Sequence, residues 1–345
     1  MARFLTALMV VVVLAAVLVF AGSAYLDRVM STPQAFAAPT RIDIKPGSTL
    51  RGALAQLHRL NLLPDARLTE FYLRTHHSMF ALKAGRYEIG PHATPLAVLA
   101  LLRSGRVVLE QLTIIEGSRF TDFRHSLEAH PEVRSTVKGK SDAEVMTAIG
   151  HEGEFPEGRF FPDTYRFAAG TSDLDLLRMA YERMRSTLER AWPTRAEGLP
   201  LKSSYEALIL ASIVEKETGL REERPRIASV FINRLKSGMR LQSDPTVIYG
   251  IGPAYDGDIR TRDLTADTPY NTYTRAGLPP TPIALPGAES IQAVTHPAQT
   301  NDLYFVALGD GSGAHAFNSS LEAHNAAVKR YLERLKAQQR GGSQR

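Results

Sequence analysis

The sequence predicts an α+β protein that begins with a transmembrane helix. Three observations support this fold class. A long apolar run stands near the N-terminus, short alternating runs typical of strands recur along the chain, and runs with helical spacing of apolar residues separate them. Of the 345 residues, 44% are hydrophobic and 22% are charged, so the chain can bury a sizeable core.

The apolar run extends from Phe4 to Gly22, and its 19 residues carry no charge. A helix of this length spans about 29 Å at ~1.5 Å per residue, which matches the hydrocarbon thickness of a bilayer. Because Arg3 precedes the run, we expect residues 1–3 to stay cytoplasmic and the helix over 4–24 to cross the membrane.

A cleaved signal peptide is the alternative, since Gly22-Ser23-Ala24 forms a passable cleavage site. The run is longer than the usual apolar region of such peptides, about 7–15 residues, which favours an uncleaved anchor. Either interpretation exports residues 30–345. Residues 25–40 have no periodicity and contain two prolines, which predicts a short linker.

Residues 41–110 predict a small subdomain in the order strand, helix, helix, strand, helix. The strand RIDI ends at Pro46–Gly47, and a helix with leucines on one face follows it. LTEFYLR predicts the second helix and ALKAGRYEIG the second strand. Thr94 and Pro95 supply an N-cap and a first-turn proline for a helix through Leu102. This order of elements resembles the small peptidoglycan-binding LysM module.

Residues 111–340 predict a larger mixed domain in which a helix packs on a small sheet. The predicted elements are, in order, a strand in VVLEQLTIIEG, a polar helical region to Gly150, a structured aromatic loop over Gly153–Phe167, helices over Asp173–Trp192 and Tyr205–Thr218, a loop-to-strand stretch after Gly238, and a hairpin turn at GDGSG between LYFVAL and AHAF. On the C-terminal helix, His324 is expected to be a packed structural residue.

Composition excludes several classes of function. The chain has no cysteine, which rules out thiol catalysis, disulfide scaffolds and cysteine-based zinc sites. The net charge is +5 and the pI is about 9.4, but the basic residues form no block, so nucleic acid is not an expected partner. The histidines lack the spacings of zinc hydrolases, and no Walker or dinucleotide-binding glycine pattern occurs. We therefore expect neither a metal nor a cofactor.

Two glutamates, Glu215 and Glu217, fall in the last turn of the predicted helix over Tyr205–Thr218, with Gly219 as a plausible C′ residue that stops it. A helix C-terminus carries partial negative charge, so acidic residues there lose about 0.3–1 kcal/mol each. Acidic residues at this unfavourable end of an otherwise regular helix suggest a functional position. Residues i and i+2 lie about 200° apart on a helix, so the two side chains enter different surroundings.

Glu217 has the more apolar neighbours on this helix, Leu210, Ile213 and Val214. Desolvation and the negative helix end both disfavour its charged form, so we expect its pKa to be raised. A carboxylic acid still protonated near neutral pH suits the general acid of glycoside cleavage. The alternative interpretation is that Glu-Lys-Glu is an ordinary solvated helix end.

Four long motifs follow one another in the second half of the chain: LILASIVEKETG, ERPRIASVFINRLKSGMRLQSDPTVIYGIG, YNTYTRAGLPPTPIALPG and HPAQTNDLYFVALGDGSGAHAFNSSLEAHN. Earlier landmarks are KPG at 45–47, LKAGRYEI at 82–89, EGSRFTDF at 116–123 and EGRFFPDTYRF at 157–167. Together they closely resemble the endolytic murein transglycosylase family (YceG-like). The resemblance runs from the anchor to about Tyr331.

This resemblance implies a bitopic inner-membrane enzyme with a LysM-like subdomain and a catalytic domain in the periplasm. It implies internal cleavage of nascent glycan strands between N-acetylmuramic acid and N-acetylglucosamine. It also implies that the catalytic glutamate belongs to the SIVEKET motif, and we place it on Glu217, which the helix analysis also prefers.

Seven further residues are candidates for contacting the substrate or ordering the site: Glu215, Asn233, Gln242, Asp244, Tyr249, Asn271 and Tyr273. Amide and aromatic side chains on loops suit N-acetyl sugars, which favours substrate contact for Gln242 and Tyr249. The same reasoning applies to Asn271 and Tyr273 in YNTYT.

The remaining candidates have stronger structural alternatives. Asn233 lies on a helix and could as easily hydrogen-bond a neighbouring loop as a sugar. Asp244 could instead cap the Pro245–Thr246 turn. Glu215 is expected to order the site or to act electrostatically rather than as the acid. LPPTPIALPG, with four prolines, is expected to form a stiff wall of the groove.

Three classes of function remain open from the sequence. A lytic transglycosylase, which leaves 1,6-anhydromuramic ends, is favoured by the resemblance. A lysozyme-type hydrolase would need a second carboxylate opposite Glu217, for which Asp244 is the nearest candidate in the motifs. A non-catalytic wall-binding scaffold would use the LysM-like region alone. The expected partners are peptidoglycan glycan strands, the inner membrane and cell-wall synthases.

Overall fold

The computed structural model describes residues 2–45 and 47–342, and the chain divides into two compact units. Unit 1 comprises Met1–Glu110 and Arg166–Gly170, and unit 2 comprises Gln111–Tyr165 and Thr171–Arg345. Met1 of the predicted cytoplasmic stub and Pro46 of the predicted turn lie outside the described residues.

Helix α1 runs over Ala2–Ser31 and contains the predicted apolar run. Its part over Phe4–Ser31 is long and apolar enough to cross a membrane, with a mean hydropathy of 3.0 over 18 residues. The helix extends past residue 24 into the segment for which the sequence predicts a linker. It does so because Met30 packs into the core of unit 1, where its side chain is 0% exposed.

The rest of unit 1 follows the predicted order of elements: β1 Thr40–Ile44, α2 Leu50–Arg59, α3 Ala66–Thr75, β2 Gly85–Ile89 and α4 Pro95–Ser104. The two strands pair antiparallel, with Thr40 opposite Ile89. Their inward-facing side chains join the apolar faces of the helices in one core. As predicted, Thr94 caps α4, and its hydroxyl accepts a hydrogen bond from the backbone N–H of Ala97 at 3.1 Å.

From the end of unit 1 onward the elements are β3 Leu109–Thr113, α5 Phe120–Ala129, α6 Asp142–Ile149, β4 Thr164–Ala168, α7 Asp173–Ala191, α8 Ser204–Glu217, α9 Arg224–Lys236, α10 Asp244–Ile251, α11 Thr261–Thr265, α12 Ala288–Thr295, β5 Tyr304–Ala307, β6 His315–Asn318 and α13 Leu321–Gly342. Strands β5 and β6 form the antiparallel hairpin predicted around GDGSG. The polar region before Gly150 resolves into two helices, α5 and α6. His324 is partly buried on α13, and its ring stacks on Tyr304 at 5.0 Å, as expected of a packed residue.

One predicted strand is wrong. The stretch after Gly238 was expected to lead from a loop into a strand, but residues 244–251 form helix α10. Its Val, Ile and Tyr residues favour strands only weakly and depend on context. Pro245 in the first turn is pre-set for a helix, and the buried Thr246 and Val247 fix the segment by packing.

The core of unit 2 surrounds α8. Every residue from Ala207 to Val214 on this helix is buried, so it is covered on all sides. It packs mainly against α12, α9, α10 and α7. The prediction that this helix packs on a small sheet is therefore wrong. The β5–β6 hairpin contacts α9 and α13 instead, which places a helix between that sheet and α8.

The proline-rich segment, residues 278–287, connects distant parts of unit 2. The backbones of Gly117 and Ser118 exchange hydrogen bonds with Leu285 at 2.8 Å each. The N–H of Ile283 donates to the Ser212 hydroxyl on α8 at 3.0 Å. Gly158 has φ +80°, and a Cβ at this position would stand 2.5 Å from the Pro282 side chain. Only glycine allows this close approach.

Candidate active site

Helix α8 ends at Glu217 because the next residue leaves helical geometry. Thr218 is extended, with φ −142° and ψ 137°, and its hydroxyl accepts a hydrogen bond from the N–H of Leu220 at 3.0 Å. Gly219 was expected to stop the helix as a C′ residue. The helix does end just before Gly219, but the φ of Gly219 is not in the left-handed region, so the extended Thr218 ends the helix and not a glycine cap. The extended Thr218 exposes the last turn of the helix to the segments around it.

Glu217 is a partly buried carboxyl group with one bound oxygen. The Ser243 hydroxyl donates a short hydrogen bond to its Oε1 atom. Within residues 2–45 and 47–342, no protein donor bonds Oε2, so this oxygen is free for a ligand. The pKa of Glu217 is raised to about 7, mainly by burial and to a smaller extent by the negative charge of Asp244, while the Ser243 hydrogen bond and the Arg234 charge act in the opposite direction. The raised pKa predicted from the helix is confirmed.

Ser243 is fixed by a small network of hydroxyl groups. Its N–H donates to the Thr272 hydroxyl at 3.0 Å, and its carbonyl accepts from the Thr246 hydroxyl at 2.7 Å. The two threonine hydroxyls lie 2.9 Å apart and are hydrogen-bonded to each other. Ser243 is 1% exposed, so its own hydroxyl has little freedom. The network therefore holds one oxygen of Glu217 in place.

Asp244 and Tyr273 form a second pair beside Glu217. The Tyr273 hydroxyl donates to the Asp244 carboxylate at 2.6 Å. Burial and the adjacent Asp244 raise the pKa of Tyr273, which keeps it a hydrogen-bond donor. Gln242 precedes this pair with a left-handed φ of 51°, and its N–H donates to the carbonyl of Thr272 at 3.1 Å. The structure thus brings Gln242, Asp244 and Tyr273 together around Glu217.

Arg234 supplies a buried positive charge near Glu217. It is 7% exposed, and its guanidinium donates to the carbonyls of Leu303 at 2.6 Å and Leu241 at 2.7 Å. It also reaches the Gln242 side-chain oxygen at 3.5 Å. Burial lowers the pKa of Arg234, and the Glu217 charge partly offsets that effect. A cation held by backbone carbonyls stabilises the ionised form of Glu217 without forming a direct ion pair with it.

Glu215 faces away from this cluster, as the helix spacing predicted. Its side chain is 4% exposed and pairs with the buried Arg224 at 2.9 Å. The other carboxylate oxygen accepts from the N–H of Gly287 at 2.9 Å. Arg224 also pairs with Glu289 at 3.0 Å. The predicted ordering role of Glu215 fits these contacts, whereas a direct substrate contact stays a prediction that they do not favour.

The side chains of the three other candidates form hydrogen bonds with other groups of the protein. The Asn233 amide donates to the carbonyls of Thr300 at 2.8 Å and Asp302 at 3.0 Å. Asn271 is 1% exposed, and its amide donates to three backbone carbonyls while its oxygen accepts from the N–H of Tyr273 at 2.8 Å. The Tyr249 hydroxyl donates to a buried glutamate. Their substrate-binding roles stay predictions that this geometry does not favour.

Sequence reasoning missed two residues of this region. Ser243, which bonds Glu217, stands between two candidates in LQSDPT, and only its position there could have indicated it. Glu157 is 4% exposed, accepts hydrogen bonds from the N–H of Phe120 at 2.9 Å and the Tyr249 hydroxyl at 3.1 Å, and burial raises its pKa to about 7. Both oxygens of Glu157 accept hydrogen bonds from the protein. Its contribution to the site is to hold the Tyr249 side chain in place.

The described part of the chain contains no cluster of three histidine, aspartate or glutamate side chains that could hold a metal ion. The site contains a proton donor with a raised pKa, a serine that orients it and a tyrosine–aspartate pair.

Two named proteins are similar to this chain over most of its length. The endolytic murein transglycosylase of Bacillus subtilis (strain 168) is 30% identical over 312 residues, which cover 84% of this chain and 84% of that protein. The protein of the same name from Streptococcus pneumoniae (serotype 2, strain D39 / NCTC 7466) is 27% identical over 326 residues, covering 83% of this chain and 57% of that protein.

A solved structure and a family model extend the comparison. The crystal structure of a YceG-like protein from Listeria monocytogenes aligns with a TM-score of 0.50 at 27% identity, covering 84% of this chain and 99% of that one. A model of the YceG-like family matches residues 42–330, which include all the residues of the candidate site. This chain belongs to the YceG-like family.

Proposed function

We propose that this chain cleaves peptidoglycan glycan strands internally, between N-acetylmuramic acid and N-acetylglucosamine, as a lytic transglycosylase. The observation that carries the proposal is Glu217, a carboxyl group with a pKa of about 7 and one oxygen without a protein donor. The names of the relatives from Bacillus subtilis and Streptococcus pneumoniae support the substrate class. We propose a role in terminating nascent strands during wall assembly.

In this mechanism Glu217 acts twice. As an acid, it donates its proton to the glycosidic oxygen while the bond from that oxygen to C1 of the muramic residue breaks. As a carboxylate, it then accepts the proton of the C6 hydroxyl, whose oxygen bonds C1. No water is consumed, and the new end is a 1,6-anhydromuramic residue. An intramolecular attack has an effective molarity of about 10⁵ M or more when the geometry is right, so it can outrun water.

The residues around Glu217 have distinct proposed roles. Ser243 orients the carboxyl group, and Arg234 stabilises its ionised form in the second step. Gln242, Asp244 and Tyr273 are the proposed substrate contacts, because they surround the acid. Asp244 also keeps Glu217 protonated, since two adjacent carboxylates resist double ionisation.

A lysozyme-type hydrolase is the second candidate, and Asp244 favours it. Its carboxylate lies close enough to Glu217 to raise the pKa of that residue. Hydrolysis would use this second carboxylate as a base for water or as a nucleophile. The Tyr273 hydroxyl already donates a hydrogen bond to the Asp244 carboxylate, which would have to bind water instead for hydrolysis, and this favours the transglycosylase.

The masses of the products separate the two reactions. We expect defined glycan strands to yield ends that are lighter by one water than hydrolytic ends, with no oxygen from labelled water. Reducing ends throughout, with solvent oxygen incorporated, would show a hydrolase. Intact strands after incubation with folded protein would support a non-catalytic scaffold.

The pH dependence should report the ionisation of Glu217. The reaction needs its acid form, so kcat/KM should fall as pH rises through about 7. In Asp244→Asn the fall should begin at lower pH, because a negative charge that raises the pKa of Glu217 is gone. Rates on glycan strands across the pH range test both statements. An unchanged midpoint in Asp244→Asn would show that another group controls the profile.

The location of the enzyme is part of the proposal. The helix over Phe4–Ser31 supports a single-pass anchor, which we place in the inner membrane with the catalytic domain, residues 111–340, in the periplasm. The strand–helix–helix–strand order of residues 41–110 supports a LysM-like subdomain that holds peptidoglycan. Cell-wall synthases are the proposed protein partners, since they make the nascent strands.

A further inference from the structure

A groove in unit 1 is lined by residues of the apolar run and by residues of α3. Leu18, Val19 and Gly22 of α1 line one side, and Phe71 and His76 lie on the other. Phe71 is 55% exposed although it is a large apolar side chain. This exposed aromatic side chain lies directly beside the apolar segment of α1.

Helix α1 is held firmly against unit 1, so its depth in a bilayer sets the depth of α3. Met30 is buried in the core of the unit. The His76 ring lies 3.5 Å from the Asp27 carboxylate, and it stacks on Tyr72 of α3 at 3.9 Å between ring centroids. These contacts join the end of α1 to α3 and to the core of unit 1.

The depth of Phe71 follows from the helix rise. Leu18 precedes Gly22 by four residues, which places it ~6 Å deeper along the axis at ~1.5 Å per residue. Phe71 lines the same groove as Leu18 and Val19. Its side chain therefore lies at the boundary between hydrocarbon and headgroups, where aromatic side chains favour the interface.

The surface around Phe71 is basic. Arg67, Phe71 and Arg74 are spaced i, i+4 and i+7, so they share one face of α3. Arg51 lies beside them, and Glu70 pairs with Arg51 at 2.9 Å and with Arg74 at 2.7 Å. The three arginines thus outnumber the two neighbouring carboxylates, those of Glu70 and Asp65, by one. Arginines at this depth can extend their guanidinium groups into the headgroup layer.

We propose that this face of unit 1, Arg51, Arg67, Phe71 and Arg74, docks on the membrane surface and binds anionic phospholipid headgroups. Phe71 enters the interface and the arginines contact the phosphates of the headgroups. The inference rests on the proposed membrane anchor. It adds a second membrane contact that fixes the orientation of unit 1.

Tryptophan fluorescence in the full chain tests the proposal. The only tryptophan is Trp192, so Trp192→Phe gives a silent background. In it, Phe71→Trp is reconstituted into vesicles of phosphatidylglycerol and phosphatidylcholine that contain lipids brominated near the headgroup. We expect Phe71→Trp to lose most of its emission, as Tyr25→Trp on α1 should. Leu60→Trp is the matched control, since Leu60 is 48% exposed and lines neither surface.

Each outcome has one meaning. Quenching of Phe71→Trp no stronger than that of Leu60→Trp, with Tyr25→Trp quenched, overturns the docking face and leaves the anchor intact. Unquenched Tyr25→Trp overturns the anchor and the face together, and glycan cleavage by the same protein would still support the enzyme. Because the anchor sets the depth of Phe71, lipid recognition is tested by placing the brominated chains on phosphatidylglycerol alone or on phosphatidylcholine alone, at equal fractions in the same mixture. We expect brominated phosphatidylglycerol to quench Phe71→Trp more strongly. Equal quenching by the two lipids, or the same preference in Arg67→Glu/Arg74→Glu, overturns the recognition of anionic lipid.

Discussion

Glu217→Gln is expected to lower the rate of glycan cleavage by about 10²–10⁴-fold, the usual effect of removing a general acid. The amide preserves the shape of the side chain and can still accept the Ser243 hydrogen bond, but it has no proton to transfer. The release of anhydro ends from purified strands measures the loss. Glu222→Gln is the matched control, because Glu222 is an exposed glutamate five residues further along and should tolerate the change. Full activity in Glu217→Gln would exclude Glu217 as the acid.

The same variant should show how Glu217 affects stability. The folded-state pKa of about 7 lies above the ordinary value of 4.5, so the folded protein binds an extra proton between these values. The stability that the protonated Glu217 adds to the folded state is fully present below about pH 4.5 and is lost as the pH rises through about 7. Gln cannot titrate, so the Tm of Glu217→Gln relative to the wild type should rise across this window. A constant difference would show that Glu217 has an ordinary pKa.

Arg224→Met is expected to have the largest effect on stability. It leaves Glu215 buried without its cation, and breaking one side of a buried ion pair costs about 3–5 kcal/mol. Each kcal/mol lowers Tm by about 2–4 °C in a domain of this size. Arg221→Met is the matched control, because Arg221 contacts the same Glu289 at 2.9 Å but its side chain is 73% exposed. An exposed pair contributes about 0–1 kcal/mol.

A second substitution distinguishes a lost ion pair from a general packing defect. Arg224→Met/Glu215→Gln removes the buried negative charge as well, and Gln can still accept the Gly287 hydrogen bond. Thermal unfolding should show that the double variant recovers most of the lost stability. A double variant as unstable as Arg224→Met would assign the loss to packing. Equal losses in Arg224→Met and Arg221→Met would contradict the buried pair altogether.

The local features of the site were predictable because they depend on short-range spacing. A two-residue step on a helix turns a side chain by about 200°, which is enough to separate Glu215 from Glu217. Apolar neighbours at helical spacing were enough to predict the direction of the Glu217 pKa. Thr94–Pro95 identified the start of α4 in the same way, since a cap needs only adjacent residues.

The missed features depend on contacts between residues far apart in sequence. Ser243 reaches Glu217 over 26 positions, and Glu157 reaches Tyr249 over 92. No spacing rule connects such residues. Helix α10 was mistaken for a strand because its residues have mixed preferences and the packing of Thr246 and Val247 determines the outcome. The helical surroundings of α8 were missed because burial on all sides removes the periodicity that would show which partner it has.

The proline-rich segment has a consequence for the order in which the protein is built. The backbone around residue 117 hydrogen-bonds Leu285, and Gly158 packs against Pro282, so both segments need residues that are made much later. Closing loops of this length before the contacts form is slow. A chain made from its N-terminus must therefore leave the segments around residues 117 and 158 without their final contacts until residues 282–285 have been made. Until these residues are in place, α8 lacks part of its cover and exposes apolar side chains, so the last third of the chain protects the helix that carries Glu217.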